Sequence, residues 1–155
     1  MKFEFSAGGI VVKNPSTSSG QDKPLILVAQ HSGHHGWVFP KGIIGDTDKK
    51  ETKEQTAVRE VEEETGVKAE IIKPLTPVIY WYVREKEKIK KTVYYFLMHY
   101  ISGDIADHDW EMEDAGWFEV EEAMKLLSFK RDRELLERAV EIMNKIKYQR
   151  SNIKN

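Results

Sequence analysis

The order of the predicted strands and helices indicates an α/β fold, in α/β/α layers around a mixed β-sheet. β-prone segments make up most of the chain, one amphipathic helix lies in the middle, and two helices close it. The first strand is predicted over residues 3–12, where Gly8 and Gly9 imply the close approach of another backbone. We expect residues 1–155 to form a single domain that is long enough to bury a core.

Hydrophobic patterns and turn residues place the other elements. A polar loop is predicted over residues 14–23, and the charged run REKEKIKK should form the tip of a hairpin. The remaining predicted strands lie at 25–29, within 69–83, at 92–101 and at 115–120, and the helices lie at 52–65, 121–127 and 131–148. The last helix has a wide apolar face, which is enough to pack on the sheet and to pair with another copy, so we expect a monomer or a homodimer.

Composition excludes several classes of function. The absence of cysteine rules out disulfides and thiolate sites, and the net charge of -2 argues against nucleic-acid binding by a generally basic surface. No apolar run approaches the roughly 20 residues that span a bilayer, and the start MKFEF does not resemble a signal peptide. We therefore expect a cytoplasmic protein that does not associate with membranes, and no protein partner is evident.

The helix predicted over residues 52–65 carries an unusual set of carboxylates. Its apolar stripe is formed by Ala57, Val58, Val61 and Thr65, and Gly66 stands where a C-terminal cap belongs. At about 100° per residue, Glu60, Glu63 and Glu64 fall within about a third of the circumference, whereas Glu62 faces away.

Three like charges at this spacing repel one another and raise one another's pKa values unless a cation compensates them. A hard divalent cation such as Mg²⁺ would do so, and Arg59 would contribute by pairing with Glu51 near the start of the helix. The alternative is an acidic face that is simply solvated. The full run GDTDKKETKEQTAVREVEEETGV fixes too many residue types for that alternative to be favoured.

This run resembles the Nudix box of the Nudix hydrolases. Ala7-Gly8-Gly9-Ile10-Val11, the turn WVFPKG at 37–42, Trp117-Phe118 and Glu121-Glu122-Ala123 also stand where that family has similar residues. The resemblance implies an α/β/α sandwich that hydrolyses a nucleoside diphosphate linked to a further group, with Mg²⁺ or Mn²⁺ as cofactor.

The resemblance also implies roles for individual residues. Glu60, Glu63 and Glu64 would ligate the metal, and Glu51 and Arg59 would orient them. The literal box spacing selects Gly45, but the turn Pro40-Lys41-Gly42 implies Gly42, with a loop expanded by three residues. We favour Gly42, which makes the Lys41 carbonyl a candidate metal ligand.

The general base is taken from different places in the family. Glu111 lies six residues before Trp117, where members often carry a glutamate near the metal. We predict Glu111 as an additional ligand or the base, with Glu60 as the alternative base and Glu113 as a neighbouring substitute. Plain solvation of this acidic loop is the competing interpretation.

The substrate must be inferred from residues outside the helix. Lys41, Arg84 and Lys91 could bind a polyphosphate chain, and Phe39, Tyr80 and Tyr82 could stack a nucleobase. This pattern is similar to bacterial diadenosine polyphosphate hydrolases, which favours Ap4A or Ap6A as substrate. The rival substrates are nucleoside triphosphates such as 8-oxo-dGTP, capped RNA and ADP-ribose, and a non-catalytic nucleotide-binding module is a further alternative.

Two features have simpler explanations. The alternating aromatic residues of 80–82 and 94–96 could be core residues and cross-strand pairs. His31, His34 and His35 could touch phosphate or act as a base, but they could equally be surface polar groups.

Overall fold

The computed structural model describes residues 1–14, 23–46 and 48–153, with side chains up to residue 147. One mixed sheet runs through the molecule, and three α-helices and a 3-10 turn at Ile105–Asp107 accompany it in the described residues. The strands are β1 (Lys2–Lys13), β2 (Leu25–His31), β3 (Trp37–Val38), β4 (Lys41–Ile43), β5 (Val67–Pro74), β6 (Val78–Arg84), β7 (Glu87–Gly103) and β8 (Met112–Glu119). The helices are α1 (Lys53–Thr65), α2 (Val120–Leu126) and α3 (Lys130–Ile153).

The sheet is built around the long parallel pair of β1 and β7, which runs from Lys2 opposite Ile89 to Val12 opposite His99. β2 continues the sheet antiparallel to β1 and carries β3 and β8. β5 and β6 both pair antiparallel with β7, along its C-terminal and N-terminal parts respectively. The short β4 pairs with β1 at residues 6–8.

Two predicted details of the segment 69–91 were wrong. The segment 69–83 is not one strand but two, because Pro74 and Pro77 flank a break and proline cannot donate to a ladder. The hairpin tip consists of Glu85 and Lys86, with φ of 51° and 67°. Of the rest of the charged run, Arg84 ends β6 and residues 87–91 lie in β7. Most of the predicted loop at 14–23 lies outside the described residues.

Helices cover both faces of the sheet, which confirms the predicted α/β/α layers. On one side, Ala57 and Val61 of α1 pack on Val11 and Met98 of the sheet. On the other side, α2 and α3 contribute core residues such as Ala123 and Leu136. Ile10 and Val11 belong to opposite cores because successive strand residues face opposite sides.

Local capping fixes both ends of α1. Thr52 and Gln55 form a capping box, each accepting a hydrogen bond from the other's backbone N–H. Gly66 ends the helix with φ of 78°, which a glycine adopts without steric cost. Within the described part of the chain, no helix combines the length and apolar character needed to cross a membrane.

Candidate metal and phosphate site

The turn at 39–42 lies directly against β1 and α1. A Cβ atom on Gly8 would meet the Pro40 carbonyl oxygen at 2.1 Å, and the Gly9 N–H donates to that oxygen at 3.2 Å. A Cβ atom on Gly42 would lie 2.0 Å from Cδ of Glu60. Two glycines of the sequence therefore allow the turn to reach the carboxylates of α1.

The carboxylates of α1 face this turn as the helical phase predicted. Glu60 and Glu64 are buried, with 7% and 4% of their surface exposed. The Glu64 Oε2 atom accepts a hydrogen bond from the Lys41 N–H at 3.1 Å. Glu63 lines the same cavity but is half exposed, and Glu62 is exposed outside it.

Arg59 joins Glu51, Glu60 and Glu63 into one hydrogen-bond network. Its Nε and Nη2 atoms donate to the two oxygens of Glu51 at 2.8 and 2.9 Å, which is the predicted pair, and its Nη1 atom donates to Glu60 and Glu63 at 2.9 Å each. Thr56 donates a further hydrogen bond to Glu51 at 2.7 Å. The Arg59 hydrogen bond holds the pKa of Glu51 below its usual value.

The pKa values of the two buried carboxylates, Glu60 and Glu64, are shifted in the opposite direction from that of Glu51. Burial raises the pKa of Glu60, although Arg59 opposes the effect, and it raises the pKa of Glu64 well above its usual value. Nearby Glu111 raises both pKa values further. A cation in the cavity would favour the charged forms of both groups.

The donor chemistry of these residues fits a hard divalent cation, since all the side-chain donors are carboxylate oxygens. In the described residues, however, no three carboxylate or imidazole groups converge closely enough to hold a metal as they stand. Two of the carboxylates, Glu60 and Glu63, instead accept hydrogen bonds from Arg59 Nη1, each at 2.9 Å.

The carboxylates open on a cavity of about 300 Å³. Lys41 and Lys91 lie on its wall, together with Asp109, Glu111, His31 and Ser6. Lys91 is nearly buried, and burial followed by the charge of Lys41 lowers its pKa. The cavity thus combines a cluster of carboxylates with two lysines.

The structure distinguishes Glu111 from its neighbouring substitute Glu113. Glu111 lines the cavity, and the Ser32 N–H and hydroxyl both donate to its carbonyl oxygen, at 2.9 and 2.8 Å. Glu113 does not line the cavity, and its carboxylate lies 2.6 Å from Nδ1 of His35. Glu111 therefore remains the predicted ligand or base, whereas Glu113 lies outside the cavity.

The predicted substrate-binding residues are only partly brought together. Lys41, Lys91 and Phe39 line the cavity. Tyr80, Tyr82 and Arg84 do not line it. Tyr82 and Arg84 donate hydrogen bonds to Glu4, which also accepts one from Lys91 at 3.5 Å. Their direct contact with substrate is not supported by this geometry.

Two predicted aromatic residues, Phe39 and Tyr80, have different environments. Phe39 is fully buried and meets the ring of Tyr95 edge-on at 6.4 Å, so it is a core residue whose edge reaches the cavity. Tyr80 is half-buried, and the guanidinium of Arg131 lies 3.9 Å from its ring centre. Asp132 follows Arg131 and is buried, which raises its pKa, while the charge of Lys41 opposes the rise.

The three histidines have different environments. His31 lines the cavity and stacks on His34 at 4.3 Å, and His34 meets Phe129 edge-on. Burial lowers the pKa of His34. His35 is exposed beside Glu113, so only His31 could touch a ligand in the cavity.

Sequence reasoning missed Ser6. Its hydroxyl oxygen is the one buried side-chain polar atom without a hydrogen-bond partner in the described part of the chain, and Ser6 lines the cavity. A serine directly before Ala7-Gly8-Gly9, within the buried part of the strand, was the available signal. Asp46 and Asp109, which also line the cavity, were not singled out either.

Comparisons with known proteins agree with this architecture. A family model described as the NUDIX domain matches residues 6–139. The MutT4 protein of Mycobacterium tuberculosis is 35% identical over 144 residues, which cover 92% of this chain and 57% of that protein. The 8-oxo-(d)GTP phosphatase of Mycolicibacterium smegmatis is 31% identical over 115 residues, covering 74% of this chain and 33% of that protein. The chain spans less than two thirds of the length of both relatives.

Among solved structures, a binary complex of the C. elegans Ap4A hydrolase is similar, with a TM-score of 0.67 and 26% identity. The similarity covers 91% of this chain and 98% of that chain. It confirms the fold that was predicted from the order of strands and helices.

Proposed function

This chain belongs to the Nudix family, and we propose that it hydrolyses a phosphoanhydride bond in a nucleoside diphosphate linked to a second group. We further propose that the substrate is a dinucleoside polyphosphate such as Ap4A or Ap6A. The domain responsible is the α/β/α unit described above.

One observation carries the proposal: buried carboxylates and lysines share one cavity. Glu60 and Glu64 supply negative charge to its lining, and Lys41 and Lys91 supply positive charge. A polyphosphate with a bound divalent cation carries both charges. The cation would suit the carboxylates and the phosphate oxygens would suit the lysines, so such a ligand complements both groups.

The metal that fits is Mg²⁺, or Mn²⁺ in its place. Glu60, Glu63 and Glu64 would hold it, with Glu111 and the Lys41 carbonyl as further candidates. When bound, the ion would polarise a phosphoryl oxygen and lower the pKa of the attacking water. Glu60 and Glu63 would exchange their contacts with Arg59 Nη1 for the ion, while Glu51 retains the Nε and Nη2 atoms of Arg59.

The protein's own groups bind the chain and move the proton. The ammonium groups of Lys41 and Lys91 bind phosphate oxygens and offset the charge that develops during cleavage. A carboxylate oxygen of Glu111 accepts the proton of the attacking water, with Glu60 as the alternative base. Glu64 stays in place because the Lys41 N–H holds its Oε2 atom.

A long polyphosphate is favoured over a short one by the distribution of cations and rings. Lys91 and Lys41 lie close enough for the charge of Lys41 to lower the pKa of Lys91. Tyr80 pairs with Lys91 across β6 and β7, and the guanidinium of Arg131 lies 3.9 Å from its ring centre. A phosphate chain could extend past the lysines and place a nucleobase near Tyr80. The name of the similar C. elegans structure, an Ap4A hydrolase, supports the same choice.

The main alternative is a nucleoside triphosphate of the 8-oxo-dGTP type, which the name of the smegmatis relative supports. Capped RNA, ADP-ribose and a non-catalytic nucleotide-binding module are further alternatives. The complete set of Glu51, Arg59, Glu60, Glu63 and Glu64 favours an enzyme over a module, because binding alone does not require all five. The cytoplasmic location and the monomeric or homodimeric state remain predictions.

The proposal is tested by incubating the protein with Mg²⁺ and a panel of Ap4A, Ap6A, dGTP, 8-oxo-dGTP, ADP-ribose and capped RNA. Separation of the nucleotide products by chromatography gives kcat/KM for each compound. We expect the dinucleoside polyphosphates to have the highest values. A higher value for 8-oxo-dGTP would replace the proposed substrate, and equally slow turnover of all six would favour the binding module.

A further inference from the structure

A second surface of the sheet has an unusual composition. Five large hydrophobic residues on β1 and β6 are between 47% and 68% exposed. They are Phe3, Phe5, Ile79, Trp81 and Val83. Exposed apolar side chains that adjoin one another mark a binding surface more often than isolated ones do.

The strand register places these residues on one face, in rows across three strands. Phe3 and Trp81 both pair with Lys90, from either side of β7. Phe5 and Ile79 both pair with Thr92 in the next row. Directly paired residues point to the same side of a sheet, so the rings flank a central row of β7 side chains.

Val83 pairs with Lys88, which extends the same row by one step. The sheet-face patch is therefore defined as Phe3, Phe5, Ile79, Trp81 and Val83 around Lys88, Lys90 and Thr92. α1 packs on the same side of β1, over Ala7 and Val11, but it leaves this end of the sheet exposed.

The charge of the patch is positive at its centre. The Nζ atoms of Lys88 and Lys90 lie 4.6 and 5.7 Å from the centre of the Trp81 ring. Beside the patch, Lys53 lies 4.7 Å from the ring of Tyr94, which continues the row of β7. The nearby acids on these strands, Glu4 and Glu87, pair with residues of the opposite face.

The central position of Lys88 and Lys90 distinguishes between three possible binding partners of the patch: a second copy of the chain, a membrane and a polyanion. A second copy meeting this patch about a two-fold axis would oppose the same lysines to one another, which is unfavourable. A membrane would have to bury the lysines in the middle of the inserting face, whereas membrane-binding faces keep cations at the rim. A polyanion with flat rings along its length meets neither difficulty.

We propose that the sheet-face patch binds single-stranded nucleic acid, with bases stacked on Trp81 and Phe3 and phosphates on Lys88 and Lys90. Aromatic side chains on an open sheet, interleaved with cations, provide stacking platforms that tolerate any base. The overall charge of -2 excludes a generally basic surface but not a local one. The inference does not depend on the proposed hydrolysis, since the patch lies outside the cavity.

The test is fluorescence anisotropy with a dye-labelled 12-nucleotide oligouridine that has a 5′ hydroxyl, in EDTA, so that metal-dependent binding in the cavity cannot contribute. We expect binding whose affinity falls with salt, with a log–log slope of about -1.4 for two phosphate contacts. Trp81→Ala should weaken binding roughly tenfold, and Trp81→Phe should weaken it less. Circular dichroism checks that each variant is folded.

The double change of Lys88→Glu and Lys90→Glu should abolish binding. The control of equal charge change is the double change of Lys125→Glu and Lys130→Glu, at exposed positions of α2 and α3. Glu64→Gln should bind the oligonucleotide like the original protein, which separates this inference from the proposed hydrolysis. Absence of binding at 50 mM salt would overturn the inference, as would binding that these changes leave intact. The inference would also be wrong if Trp81→Ala abolished a homodimer or binding to anionic vesicles while oligonucleotide affinity stayed unchanged.

Discussion

Gly42 lies so close to Glu60 that a Cβ atom at position 42 would stand 2.0 Å from the carboxylate carbon of Glu60. The contact is with the flexible end of a side chain, so Glu60 could move aside at little cost in stability. We therefore expect Gly42→Ala to retain its fold but to lower kcat/KM about 100-fold, the loss typical of a displaced catalytic group. Melting temperature and kinetics with the preferred substrate measure the two effects.

Gly45→Ala is the matched control. The nearest heavy atom to a Cβ at position 45 is 3.7 Å away, but φ is 79°, which strains any residue with a side chain. We expect a loss of about 1 kcal/mol in the free energy of unfolding and little change in kcat/KM. If Gly45→Ala inactivated the enzyme and Gly42→Ala did not, the assignment of Gly42 to the metal site would be wrong.

The second prediction concerns Glu64, whose charge is buried near Glu60 and Glu111. Glu64→Gln removes that charge, yet the amide oxygen can still accept the hydrogen bond from the Lys41 N–H. We expect the melting temperature in EDTA to be unchanged or higher, because no buried charge has to be desolvated. Turnover should fall by orders of magnitude, because a metal ligand is lost.

Glu62→Gln, close in sequence to the buried acids but exposed, is the control and should have almost no effect. A marked loss of stability in Glu64→Gln, together with a proportionate loss of activity, would mean that Glu64 acts only in the fold. An equal loss of turnover in Glu62→Gln would contradict the helical phase on which the site was predicted.

α1 could be predicted almost completely because its determinants are local. The capping box, the apolar stripe, the C-terminal glycine and the Arg59–Glu51 pair all lie within one short segment. The placement of Glu60 and Glu64 on one side of the helix was predictable for the same reason. Gly42 could not be distinguished from Gly45 by spacing, since only the packing of the turn against Glu60 separates them.

The features that sequence reasoning missed depend on contacts between distant segments. Ser6 reaches the same cavity as Lys91 through the parallel pairing of β1 and β7, and no periodicity in either segment reveals that pairing. Tyr82 and Arg84 were assigned to the substrate because their residue types suit it. Their actual partner, Glu4, comes from the start of the chain and would have seemed an ordinary surface acid.

Glu4 gives a third prediction, in the pH dependence of stability. Its hydrogen bond from Tyr82, followed by those from Arg84 and the charge of Lys91, lowers its pKa below the usual value. A carboxyl group with a lowered pKa in the folded state stabilises the protein above its ordinary pKa, and this contribution is lost as the pH falls through the folded value. Glu4→Gln should therefore be less stable by about 1–2 kcal/mol at pH 7, because the carboxylate's charged hydrogen bonds are removed.

Urea unfolding over a series of pH values from 7 downward would measure this difference. We expect the gap between Glu4→Gln and the original protein to shrink toward acid, since protonation then removes the charge at position 4 in the original protein as well. Glu122→Gln, on the exposed face of α2, is the control and should differ little at any pH. A gap that is independent of pH would show that Glu4 stabilises the protein by packing and not by charge.

The last prediction follows from the buried hydroxyl of Ser6, which has no hydrogen-bond partner although it lines the cavity. A buried polar group without a partner destabilises a fold, so Ser6→Ala should be as stable as the original protein or more stable. If the hydroxyl donates to a phosphate oxygen of the substrate, the same change should lower kcat/KM roughly tenfold, the usual worth of one hydrogen bond to a charged group. If Ser6 had only a structural role, Ser6→Ala would not increase stability and lower activity at the same time. Unchanged kinetics in Ser6→Ala would show that the substrate phosphates do not reach this part of the cavity and would move the phosphate site toward Lys41.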